Sequence, residues 1–129
     1  MEFQFFNPVT GVPDPDLGIV CLGVDALYQR IAYSFYNTVG KVSGQHDAPG
    51  SAWDAYQRSS ESDRKNYVKR WVTEAVEKVR NGDIVFRRDP SESLGDYNIS
   101  SIQVQKTNVV IVLDVKTRTG VATTGTLQV

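Results

Sequence analysis

Few residues in this 129-residue chain have types and spacings that suit chemistry, and they fall into three groups. His46-Asp47 is the one histidine–carboxylate neighbour pair, the combination a general base and its orienting acid would use. Adjacent loop residues point apart and no nucleophile motif flanks the pair, so a surface loop is the plainer reading. Arg87 and Arg88 stand together before Asp89-Pro90, and paired guanidinium forks suit phosphate or carboxylate. A solvated strand end is the plainer reading. Trp53 and Tyr56, three apart, share one side of a short helix near Arg58 and Arg64. Ring faces beside guanidinium groups fit a planar anion. The competing reading makes Trp53 a plug at the open end of a helix pair.

Other chemistries lack their residues. Gly40, Gly44 and Gly50 do not make a phosphate-binding glycine loop, and no Gly-Lys-Ser/Thr follows one. One histidine and one cysteine, with no diagnostic carboxylate pair, make no metal-ligand cluster, so no metal or other cofactor is expected. Cys21 lies between Val20 and Leu22 and reads as a buried thiol. Lys+Arg 14 against Asp+Glu 15 gives a formal charge of -1, which argues against general nucleic-acid binding. No stretch has the ~20 apolar residues needed to span a bilayer, and the N-terminus lacks a signal pattern, so no membrane contact and a cytoplasmic location are expected.

The elements that must position these residues are α+β in order. Residues 60–82 carry Tyr67, Val68, Trp71, Val72, Ala75, Val76 and Val79 on one stripe. This spacing predicts a helix over 63–80, capped by Ser60 with Asp63 and stopped at Asn81-Gly82. A second helix is predicted over 26–39, with Asp25 as its N-cap and Gly40 as its stop. Its stripe of Leu27, Ile31, Ala32, Phe35 and Val39 should cover the first, at roughly 25 cal/mol per Å2 of apolar area buried. A short helix over 52–58 follows Ser51. Ile84-Val85-Phe86 reads as a short strand, residues 91–98 as a loop, 99–105 as a weak strand and 108–116 as the strongest one. The last is apolar on both faces in its middle and should be interior to a sheet or covered twice. A C-terminal hairpin completes a small antiparallel sheet in one domain, 1–129. Residues 1–6, with Phe3, Phe5 and Phe6, read as a short edge strand or as an anchoring arm that extends through a proline-rich turn to 16, residues 17–23 as a buried strand or an extended lead-in to the next helix, and 42–50 as a mobile loop.

Ile31-Ala32-Tyr33-Ser34-Phe35-Tyr36, then Ala52-Trp53, then a helix with Arg64, Tyr67-Val68 and Val72, resembles the helical RyR-like domain of small phage and bacterial proteins. The resemblance covers residues 25–79, and Ala52 stands where that family commonly has proline. It implies a ligand- or nucleotide-recognising module, with Trp53 and Arg64 as the carried-over positions. Element order alone is similar to that of small RNase toxins of the barnase–RelE type, with Arg87, Arg88, Lys106, Lys116 and Arg118 as sources of charge. Net acidity and the single loop histidine count against that analogy.

The leading expectation is a non-enzymatic, phage-encoded binding protein that sequesters or inhibits a nucleotide-like small molecule or a host protein. Its candidate ligand-binding residues are His46, Trp53, Tyr56, Arg64, Arg87 and Arg88. A metal-independent RNase is the first alternative. The second is an assembly subunit, a homo-oligomer whose arms 1–16 and 121–129 exchange between neighbours.

Overall fold

A computed structural model describes residues 2–14, 19–41 and 44–129. The order is β1 (Glu2–Phe3), β2 (Val20–Cys21), α1 (Gly23–Thr38), α2 (Ala52–Gln57), α3 (Glu61–Val85), β3 (Leu94–Val104), β4 (Val109–Thr117) and β5 (Ala122–Gln128). The chain is α+β, with helices first and an antiparallel sheet β3-β4-β5 last. Met1 of the expected arm, residues 15–16 at the end of the proline-rich turn, Leu17 and Gly18 of the 17–23 run, and Val42 and Ser43 of the expected mobile loop lie outside the described residues.

The helical stripes behave as their spacing requires. Val68, Trp71, Val72, Ala75, Val76 and Val79 of α3 are buried against Leu27, Tyr28, Ile31, Ala32 and Phe35 of α1 in one core cluster. Ser34 in the helix contact donates its hydroxyl to the Ala75 carbonyl at 2.9 Å. Ser60 caps α3 by accepting from the Asp63 amide (3.3 Å), and Ser51 caps α2 by accepting from the Asp54 amide (3.2 Å).

Helix ends depart from expectation in three places. First, α1 begins at Gly23 with Leu22 as its N-cap and no side-chain cap bond, while Asp25 sits in the first turn instead of capping it. An acid there still meets the positive end of the helix dipole. Second, α3 does not stop at Gly82 but continues to Val85, and Ile84-Val85-Phe86 is its last turn and C-cap, not a strand. A glycine inside a helix is unfavourable by only about 1 kcal/mol. Asp83, buried one turn beyond Val79, anchors the extension by accepting from the Leu94 amide at 2.9 Å. Third, the stop comes at Arg87, at φ 49°. Its amide bonds the Ile84 carbonyl (3.2 Å) and the Arg88 amide bonds the Asp83 carbonyl (3.0 Å), the paired closure of a Schellman motif.

The sheet begins earlier than expected, at Leu94, because the 94–98 stretch pairs with β4 despite its polar sequence. Register shifts at Leu94/Asp96 and Ile99/Ser101 break its alternation, which is why it resembles a loop. β4 is the central strand. Its Val109, Ile111, Leu113 and Val115 face the helices and are buried, while Val110 and Val112 on the other face are half-buried among Gln103, Ser101, Thr126 and Gln128 across the register. Tyr28 of α1 lies flat against Gly125 of β5, where a methyl group would stand 2.4 Å from the ring, and its hydroxyl donates to the Thr126 carbonyl.

The N-terminal segment is tied to its own chain. Gln29 of α1 accepts from the Phe5 and Phe6 amides (3.0 and 2.9 Å) and donates to the Phe6 carbonyl at 2.9 Å. Phe6 is buried beneath, and the Thr126 amide bonds the Pro8 carbonyl at 2.9 Å. Cys21 is a buried free thiol facing Gln4, and burial pushes its pKa up, helped by Asp25 and Glu2.

Candidate functional site

α3 has two unlike ends, and the six candidate residues divide between them. At its N-terminal end, His46, Trp53, Tyr56 and Arg64 come together. α2 leads into α3 through Ser59 and Ser60, so the short helix is folded back on the long one. Trp53 and Tyr56 are stacked at 4.7 Å between centroids and 13° between planes. His46 stacks on Trp53 at 4.6 Å, and Trp71 of α3 closes the group at 5.5 Å from Tyr56. All four rings are buried.

Their polar atoms are also taken. The Tyr56 hydroxyl donates to the Gln105 carbonyl (2.6 Å), and His46 Nδ1–H donates to the Val39 carbonyl (2.7 Å). Burial holds the His46 pKa below its ordinary value, outweighing the opposing bond to Val39. Arg64 donates from Nε to the Tyr56 carbonyl (3.2 Å) and from Nη2 to the Gln57 carbonyl (2.9 Å), satisfying the open C-terminal end of α2. Its guanidinium lies 5.6 Å from the Tyr56 ring centroid. The group is therefore a packed aromatic core with its own internal partners, and the ring faces expected to receive a ligand are occupied by each other.

At the C-terminal end of α3, Arg88 meets a cleft of about 540 Å3. β1 and the following residues form one wall, α1 the floor and the last two turns of α3 the other wall. Phe3, Phe5, Tyr33 and Phe86 line it and stay exposed, Phe3 at 76% and Phe86 at 75%. Arg30 of α1 stands in the same cleft, 11% exposed at its side chain. Asp83 is shared between two guanidinium groups: Oδ1 lies 3.3 Å from Arg30 Nη2 and 3.0 Å from Arg88 Nε. Arg30 Nη2 also donates to the Glu92 carbonyl. Arg30 Nε and Nη1 are buried with no hydrogen-bond partner. Burial pulls the Arg30 pKa down, and the neighbouring charge of Arg88 adds to that more than Asp83, Glu2 or Glu92 offsets. Arg87 is exposed on the adjoining turn.

Arg30, Asp83 and Gln29 were not singled out by their sequence positions. Asp83 had a signal, since it takes the next place of the Val72–Val76–Val79 stripe and puts a carboxylate where an apolar side chain is due. Arg30 and Gln29 had none, because each flanks the α1 stripe as an ordinary polar helix residue does.

Of the residues a nuclease would combine, Lys106 adjoins the His46 end through its carbonyl bond to Gln57, but two of the arginines stand away from it. Arg88 and Arg118 both meet Ser93, at the Thr117 end of β4. His46 belongs to the group anchored on Gln105, beyond the Val109 end, and nine residues of strand, about 30 Å, separate the two ends. Among the described residues no group of three or more His, Cys, Asp or Glu is placed to hold a metal, and no helix is long and apolar enough to cross a membrane. Comparisons with protein-family models, with curated proteins and with solved structures find no match to this chain.

Proposed function

We propose that this is a small binding protein that acts by sequestration, and that its site is the cleft at the C-terminal end of α3, not the aromatic group around Trp53. The ligand is nucleotide-like in its chemistry: a flat ring system joined to an anionic group. One observation carries this reading. Four aromatic side chains remain exposed around a single concavity that has a buried guanidinium in its wall. Exposed aromatic surface is ordinarily withdrawn into a core, and a cluster left open marks a contact site.

The test is a thermal-shift panel of nucleoside monophosphates and cyclic nucleotides against the wild type and Phe86→Ala. A ligand-dependent rise in melting temperature that the variant loses supports the reading. An absence of any shift across the panel removes the nucleotide version.

A partner protein is the second reading, favoured by Ile84 and Val85. They are exposed on the same last turn as Phe86 and extend the apolar surface beyond what a small ligand covers. Light scattering against concentration checks the self-associating form of this reading, and a constant monomer mass rules that form out.

A further inference from the structure

We infer that the cleft selects a ligand carrying a single negative charge, held by Arg30 and Arg88 together. This deepens the reading of the cleft as the binding site and rests on it. The argument is one of charge and hydrogen-bond capacity. Two guanidinium groups share one carboxylate, Asp83, whose side chain is 4% exposed. Asp83 is already divided three ways, since Oδ1 serves both arginines and Oδ2 accepts from the Leu94 amide. Glu2 and Glu92 act on Arg30 from farther off, so that, among the described residues, the one direct ion pair made by each of Arg30 and Arg88 is with the same carboxylate. Lys78, also in the cleft, is already matched by Glu74 at 3.4 Å.

Arg30 Nε and Nη1 are the donors left over. Buried donors without acceptors are unfavourable, and a charged donor more so, so an acceptor of opposite charge gains by meeting them. Arg30 lines the cleft, and a ligand reaches these nitrogens only if the side chain turns toward it. A second negative charge gains less, because Asp83 and Glu2 stand in the same cleft and repel it. The walls of Phe3 and Phe86 meet the flat apolar body of the ligand.

Three probes of one shape separate the contributions: 1-naphthylacetate (one negative charge), its neutral amide and 1-naphthyl phosphate (two charges at pH 7.5). Calorimetry gives their affinities, and the Arg30 Nε–H resonance reports contact with the guanidinium. The carboxylate is expected to bind about tenfold or more tighter than the amide, since a hydrogen bond to a charged group is worth at least that. It should also bind tighter than the phosphate, and it should move the Nε–H resonance. Arg30→Met should bring the acid and the amide to equal affinity. Phe86→Ala, at an exposed position where folding is not at stake, should weaken both alike. Equal affinity for acid and amide in the wild type overturns the charge selection but leaves the cleft as a site. Tighter binding of the phosphate overturns the restriction to one charge. Failure of all three probes to bind, with Phe86→Ala unchanged, overturns the cleft itself.

Discussion

His46 illustrates how one buried side chain sets a pH dependence. It is held neutral, stacked on Trp53 with its Nδ1–H committed to Val39. Its folded pKa lies below the ordinary value of 6.5, so the unfolded chain takes up a proton first as pH falls. Stability is therefore full above pH 6.5 and declines as pH drops through the folded value. Thermal melts between pH 7.5 and 5 should show this decline, and His46→Gln should flatten it. An unchanged slope in the variant would mean that other groups set it. Gln29 acts at the same scale without titrating. Its amide makes three hydrogen bonds to the backbone of Phe5 and Phe6. Gln29→Leu leaves buried backbone groups unpaired, and a loss of about 2–3 kcal/mol is expected in urea unfolding. Rapid hydrogen exchange at the Phe6 amide should accompany it, and protection as strong as in the wild type would contradict the clamp.

At the scale of the element, the last turn of α3 makes one wall of the cleft against its own local sequence. Gly82 sits inside the helix with open space where a methyl would go, and Arg87 takes the left-handed conformation that glycine usually fills. Gly82→Ala should stabilise the protein by about 0.5–1 kcal/mol, by narrowing the freedom of the unfolded chain. Arg87→Gly relieves left-handed strain of about 1 kcal/mol, offset in part by the greater freedom of unfolded glycine, for a net gain of about 0.5 kcal/mol. Denaturant midpoints measure both, and a fall in either midpoint contradicts the helix end described. The positions of Gly82 and Arg87 in the wild type are reversed from the usual order, with glycine inside and arginine at the cap. This reversal explains why the sequence reads as a stop five residues early.

The whole molecule is one core shared by helices and sheet, with Tyr28 seated on Gly125 as a contact between them. Both tryptophans, Trp53 and Trp71, belong to the helical end, so their fluorescence reports that half alone. If the core is single, fluorescence and far-UV circular dichroism should follow one transition. Gly125→Val on the sheet forces the Tyr28 ring away and should lower that common midpoint, by about 2 kcal/mol for overpacking. A tryptophan transition that stays in place while the dichroism shifts would divide the molecule into two units. The same frame separates a filled aromatic end from an open one, about the length of β4 apart, with α3 running between them.

Periodicity carried much of this architecture in the sequence. The stripes of α1 and α3, both serine caps and the alternation of β4 are short-range patterns, and burial of an amphipathic face follows from them directly. That Trp53 and Tyr56 lie near Arg64 was also legible, because 52–58 leads directly into the start of α3, whereas His46 read as part of a surface loop and is buried on Trp53. Their mutual occupation was not legible, since stacking and carbonyl capping depend on the angle between α2 and α3. The cleft was beyond the sequence for a related reason. Arg30 and Asp83 are 53 residues apart, and what joins them is the antiparallel packing of α1 on α3. A carboxylate shared by two guanidinium groups is a property of three side chains meeting at one point, and no local pattern encodes that meeting.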